Sequence, residues 1–207
     1  MAKKQLAFHV DLNLCTGCKA CQVACQDKWN LLHGMKWRRV AEYTGGTWIE
    51  HDNGSYSQNV FAYYVSVACN HCERPICQEV CPANAIYKRD DGIVLIDDSK
   101  CIGCRYCAWA CPYAAPDFDE DTGKMTKCTF CSDYIDAGQP PACVAACPSR
   151  ALNFGELSEL RTKYGSENEI APLPPASLTK PALVLTPSPT AEQAKTGTGQ
   201  LANPEEV

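Results

Sequence analysis

The chain has 207 residues, a formal net charge of −5 and 16 cysteines. That length suits one large domain or two small ones, and an acidic balance with scattered Lys and Arg excludes a basic groove for nucleic acid. Hydrophobic residues make up 45% of the chain, but setting the cysteines aside leaves roughly 37%, thin for an aliphatic core, so something besides apolar packing must hold the fold.

Chains this rich in cysteine are disulfide scaffolds, zinc proteins or iron–sulfur proteins. The N-terminal segment carries two lysines, and His9 and Asp11 interrupt its apolar run, so it is not a signal-peptide core. Arg38–Arg39 lies too far along, with no apolar stretch behind it, to be a twin-arginine signal. The chain is therefore expected not to export itself, which weakens the disulfide option. No apolar run approaches the roughly 18 residues of a membrane span.

Four groups of four cysteines follow along the chain: Cys15, Cys18, Cys21, Cys25; Cys69, Cys72, Cys77, Cys81; Cys101, Cys104, Cys107, Cys111; and Cys128, Cys131, Cys143, Cys147. Groups one and three share C-x-G-C-x-x-C-x-x-A-C, and each follows a β-like run with an Asp four residues ahead of its first cysteine. Their C-x-x-C-x-x-C turns are predicted to lead into short helices. Groups two and four open C-x-x-C and close C-x-x-x-C-P, so the order A–B–A′–B′ marks an internal duplication. Between groups one and two lies an aromatic-rich insertion, whose "NVFAYYVSVAC" is predicted to supply a strand. Between groups two and three, "AIYKRDDGIVLID" reads as a hairpin. From Ala171 onward, prolines, Thr, Ser and Gly dominate. This reads as an extended tail that is either a mobile linker or, through Leu173, Leu178, Leu183, Val184 and Leu185, a strap over a neighbouring subunit.

The boundaries are thus a first ferredoxin-type motif at 5–34, the insertion at 35–60, a second motif at 61–91, a third at 92–121, the fourth cysteine group with a following helix at 122–170, and the tail at 171–207. The fold class expected is α+β, built from duplicated bacterial two-[4Fe–4S] ferredoxin-like modules.

The spacing decides the chemistry. A tetrahedral zinc site takes two C-x-x-C knuckles separated by a spacer. Three thiols in seven residues instead line a tight loop holding three corners of one cubane, and the fourth, typically followed by Pro, turns away to the other cluster of a pair. Group three matches in full with Cys111–Pro112, whereas group one ends Cys25–Gln26. Sixteen cysteines make four [4Fe–4S] clusters with none left over. His71, inside "CNHC", is surplus to that set. Arg74, Arg105 and Lys88 lie near the loops and would raise a potential there; each also reads as a solvated surface charge.

With these motifs in place the chain resembles the four-cluster iron–sulfur subunits of membrane-bound molybdenum oxidoreductases. The likeness extends to "WRRVAEYTGGTW", "CPYAAP", "GKMTKC", "RALNFG" and "LANPEEV". It implies how the cysteines are shared. One cluster takes Cys15, Cys18, Cys21 and Cys147; a second Cys128, Cys131, Cys143 and Cys25; a third Cys69, Cys72, Cys77 and Cys111; a fourth Cys101, Cys104, Cys107 and Cys81. Some relatives carry tryptophan at the second cysteine of group three and hold a [3Fe–4S] cluster, but here the residue is Cys104.

The function so implied is an electron relay with no catalytic residues of its own. Electrons pass from an integral-membrane, quinol-oxidising anchor subunit to a molybdopterin-containing catalytic subunit that reduces S-oxides or N-oxides. The chain is then a peripheral subunit of a bacterial inner-membrane complex, carried to the membrane folded on its catalytic partner, with the side left open. The same relay could serve a polysulfide, thiosulfate, selenate or tetrathionate reductase. A free-standing polyferredoxin and a zinc-bound structural module remain as alternatives; the insertion and tail speak against the former.

Overall fold

The structure, a computed structural model, describes residues 4–191 and 199–207. It is a mixed helix-and-strand chain whose short elements are tied by cysteine-rich loops.

Strand β1 (Leu6–Asp11) leads into the first loop and is buried along nearly its whole length. Leu6, Phe8 and Val10 face the main core, while Ala7 faces a smaller cluster. That two-sided burial is why His9 interrupts the run without cost. Its ring stacks on Tyr164, with centroids 3.7 Å apart, and its Nε2 lies 2.9 Å from Thr186 Oγ1.

The first loop delivers helix α1 (Ala20–Trp29). The insertion then forms β2 (Arg39–Gly45) and β5 (Phe61–Val67), paired antiparallel along their whole length from Arg39↔Val67 to Gly45↔Phe61. Between them, β3 (Trp48–Glu50) and β4 (Tyr56–Gln58) form an exposed hairpin. Alternate residues of β5 point at the first loop, as a period of two requires. A Cβ on Gly17 would meet the Tyr64 ring at 2.5 Å, and Ser66 Oγ lies 3.3 Å from Cys21 Sγ.

Group two carries the one-turn helix α2 (Ile76–Glu79), and the predicted hairpin follows as β6 (Ile86–Lys88) and β7 (Val94–Ile96). Helix α3 (Tyr106–Ala110) belongs to group three. A further hairpin, β8 (Asp117–Asp119) with β9 (Lys124–Thr126), was not expected from its acidic sequence. Group four carries α4 (Ser132–Asp136) and α5 (Ala142–Ala145). Strand β10 (Leu152–Glu156) and helix α6 (Leu157–Tyr164) close the ordered core.

The hairpin β6–β7 and the long-range pair β1–β10 share one register. Ile86 pairs with Ile96, five residues after Cys81 and five before Cys101; Leu152 pairs with Val10, five after Cys147 and five before Cys15. Each pairing sets a closing cysteine beside a loop that opens elsewhere in the chain.

The tail departs from expectation. Residues 183–186 form β11 (Leu183–Thr186), which pairs parallel with β1 in this same chain. Three consecutive apolar residues, Leu183, Val184 and Leu185, are buried because one face meets the main core and the other meets α6. Upstream, the tail straps the second cysteine group. Glu73 and Arg74 donate backbone N–H bonds to the carbonyls of Lys180 and Thr179, and Ala182 N–H donates to Asn70 O. At its end, β12 (Gln200–Leu201) adds to β2, and Asn203 bonds the backbone of Glu42 and Val40. Over these residues the segment packs on its own chain and is not a free linker; the tail's residues 192–198 lie outside those described.

Candidate functional site

The opening of each A-type loop is set by its aspartate. Asp11 and Asp97 each accept, through Oδ1, the N–H two residues on (Asn13, Ser99), and through the carbonyl oxygen the N–H of the first cysteine (Cys15, Cys101). Such Asx turns are what a short carboxylate does best. Gly17 and Gly103 then take φ of 70° and 68°, with Lys19 and Arg105 also left-handed at 61° and 65°. At Gly103 glycine is obligatory, because a Cβ would lie 2.2 Å from the carbonyl oxygen of Gly123.

The closing cysteines behave according to whether proline follows. After Cys81, Cys111 and Cys147 the third residue is left-handed (Asn84 47°, Ala114 47°, Arg150 57°), and its N–H turns back to the cysteine carbonyl. Cys111 itself is extended (φ −78°, ψ 114°), as a residue before proline prefers, so α3 stops at Ala110. Gln26 imposes no such stop after Cys25, and α1 runs on to Trp29.

Two hollows of similar size lie among the thiols. One, of about 380 Å³, is lined by Cys69, Cys72, Cys77 and Cys111; the other, of about 310 Å³, by Cys81, Cys101, Cys104 and Cys107. The remaining cysteines gather in the main core. Cys15 lies near enough to Cys147 for their charges to repel, and Cys25 stands likewise to Cys143 and Cys131. Cys25, Cys128, Cys131 and Cys143 are all buried, whereas Cys18 is exposed and Cys104 half-buried. Among the described residues no group of three His, Cys, Asp or Glu side chains is arranged to hold a single metal ion.

Burial pushes these thiols up: Cys25, Cys72 and Cys77 to about 12, Cys107 to about 11, and Cys128 well above its ordinary range. Burial also acts on Cys147, but hydrogen bonds from the backbone near Leu152 and Ala151 and from Ser149 bring it below the usual value. Metal is ligated by thiolate, so binding at these sites would release the thiol protons.

The walls fit an iron–sulfur cluster. Backbone N–H groups of Ala85, Met125 and Phe130 donate to the sulfurs of Cys81, Cys101 and Cys128 at 3.3–3.4 Å. In the first hollow, Asn70 Nδ2 and His71 Nε2 are buried with no partner, and the buried hydroxyl of Thr179 lies within reach of Tyr113 Oη and the Cys72 thiol. His71 accepts the Val94 N–H through Nδ1 at 3.0 Å, and burial holds its pKa well below the ordinary value, so it stands neutral with its proton on Nε2. It lines that hollow as a donor.

The cations noted in the sequence fall differently. Lys88 Nζ bonds the carbonyls of Cys72 and Glu73 at 2.9 and 3.3 Å, Arg105 lies 3.7 Å from the Phe118 ring centre, and Arg74 makes an exposed ion pair with Glu79. Sequence reasoning passed over two cations that are fully buried, Arg38 and Lys127. Lys127 Nζ donates to the carbonyls of Val94 and Cys128. Their signal, a charge inside an otherwise β-like or aromatic segment, is weak.

Comparison with known proteins fits this geometry. A 4Fe-4S dicluster domain matches residues 60–157. The chain is 51% identical over 203 residues to the B chain of anaerobic dimethyl sulfoxide reductase from Escherichia coli (strain K12), covering 98% of each. The chain belongs to the family of anaerobic dimethyl sulfoxide reductase B chains. The Haemophilus influenzae member is 49% identical, covering 99% of this chain and all of its own length. More distantly, the B subunit of tetrathionate reductase from Salmonella typhimurium is 34% identical over 79% of this chain and 63% of its own. Among the described residues of this family member no helix is long and apolar enough to cross a membrane.

Proposed function

We propose that the chain is the electron-transfer subunit of a dimethyl sulfoxide reductase-type complex, with four [4Fe–4S] clusters in two duplicated ferredoxin-like modules. The observation that carries this is the grouping of the thiols around two hollows and within one core. The proposed ligand sets are Cys15, Cys18, Cys21, Cys147; Cys128, Cys131, Cys143, Cys25; Cys69, Cys72, Cys77, Cys111; and Cys101, Cys104, Cys107, Cys81. The hollows and the shared register of β1–β10 and β6–β7 support this crossing.

Bound there, each cluster would accept and release single electrons. The chain's residues do the rest: apolar walls exclude water, and amides and buried cations set each potential. The partners are a molybdopterin-containing catalytic subunit that reduces dimethyl sulfoxide or related oxides and a membrane anchor that oxidises quinol, with the chain peripheral to the inner membrane. Exposed apolar side chains beside the least buried loops, Leu14 and Val23 at one and Ile102, Tyr106 and Trp109 at the other, support docking there. The likeness to a tetrathionate reductase subunit favours one second reading, the same relay behind another catalytic chain.

Anaerobic affinity purification from the native host, with metals counted, tests the proposal. The expected result is about sixteen irons per chain with molybdenum and a large subunit retained. Iron without molybdenum would make it a free carrier, zinc in place of iron a structural module, and a different large subunit would favour the second reading.

A further inference from the structure

Arg38 immediately precedes β2 and is 2% exposed. Removing a cation from water costs several kcal/mol, so a guanidinium this deep ordinarily has a carboxylate beside it. Among the described residues no ion pair includes Arg38. Its Nη1 donates to Ser66 Oγ at 3.1 Å and Ser66 O at 3.4 Å, and the guanidinium lies 4.5 Å from the Phe8 ring centre. Nε and Nη2 have no oxygen or nitrogen partner, and the Cys143 thiol lies within hydrogen-bonding reach of the guanidinium. The sulfurs close enough to act on its charge come from two sets at once: Cys143, Cys128 and Cys25 from one, Cys21 from the other. Ser66 Oγ, which orients it, is itself 3.3 Å from Cys21 Sγ.

The adjacent arginine goes elsewhere. Arg39 Nη2 bonds the carbonyls of Tyr113 and Ala114 at 2.6 and 3.1 Å, fixing the turn after Cys111. Arg39 thus has a structural task, whereas the Arg38 guanidinium faces the thiols.

We propose that Arg38 is the shared counter-cation of two clusters, those of Cys15, Cys18, Cys21, Cys147 and of Cys25, Cys128, Cys131, Cys143, and holds both reduction potentials up. The proposal rests on the four-cluster ligand reading above. Reduction adds negative charge to a cluster, so a desolvated guanidinium facing its thiols stabilises the reduced state more than the oxidised one.

The test uses the whole complex, purified anaerobically, with Arg38→Gln and Ser66→Ala. Iron is counted first, then each cluster is titrated by EPR. In Arg38→Gln, iron content stays at the wild-type level. Two signals shift downward by at least tenfold in the reduced-to-oxidised ratio at fixed poise, about 59 mV for one electron, and the other two hold. Ser66→Ala moves one of that pair by less. Full iron with no shift, or with all four signals shifted alike, overturns the proposal. If Arg38→Gln loses iron, Ser66→Ala decides, and unshifted signals there overturn it. A wild-type complex with too little iron for four clusters refutes the ligand reading instead, before any variant is made.

Discussion

The two cysteine-lined hollows share a four-thiol rim and a largely apolar wall, yet one wall carries polar groups that the other lacks. Around Cys69, Cys72, Cys77 and Cys111 stand Asn70, His71, Tyr113 and Thr179 with buried polar atoms, and Lys127 beside them. Around Cys81, Cys101, Cys104 and Cys107 the wall is Ala83, Ala85, Ile86, Ile96, Ile102 and Met125. Equal ligands in unequal surroundings mean that the chain differentiates its sites by the wall and not by the rim. Hydrogen bonds and nearby positive charge favour the reduced state, so under the proposed ligand sets the hollow with the polar groups should titrate at the higher potential of the two.

The largest effects come from the rims. Cys77→Ser and Cys104→Ser should each remove one EPR signal and bring quinol-dependent turnover to background while the complex stays assembled, because both thiols are only half-buried. Retention of all signals at a normal rate in either variant would refute its assignment as a ligand. Next come the loops that feed the sites. Gln26→Pro would give group one the Cys–Pro ending of group three, but it breaks α1 in its interior. A loss of about 3 kcal/mol or more should appear in thermal unfolding, whereas a neutral result would mean that α1 does not need its last turn.

His71→Ala tests the polar wall directly. It strands the Val94 N–H and removes the ring packed edge-on against Phe130. It should cost about 1–3 kcal/mol and lower one cluster potential, leaving that of the apolar hollow alone; equal shifts in both would erase the distinction drawn between them. The smallest effect belongs to Thr179→Val, which replaces the buried hydroxyl beside Cys72 and Tyr113 by a methyl of similar shape. Stability should change by less than about 1 kcal/mol, with a slight fall in the potential of the same cluster in a redox titration.

Much of this was legible because it is local. The cysteine spacing, the aspartate ahead of each A-type loop, the Asp-Asp-Gly hairpin and the missing proline after Cys25 act within a few residues, and the backbone follows them. What escaped depends on distant closure. Arg38 reads only as half of an arginine pair too far along to be an export signal until β5 brings Ser66 against it, and His71 reads as a spare ligand until β7 supplies the Val94 N–H. The tail misled because its prolines signal extension, while the short run Leu183–Leu185 carries the packing information. The hairpin β8–β9 was hidden by its acidic residues, which discourage strand formation where no partner is in view.

The pairing of β1 with β10 and β11 also sets a clock. The amino-terminal strand leaves the ribosome first, but both its neighbours lie beyond residue 150, and the second ends at Thr186. At about 5–20 residues per second, the first four thiols wait on the order of ten seconds or more for the segments that enclose them. The four thiols made first are thus the last to be enclosed by their own strands.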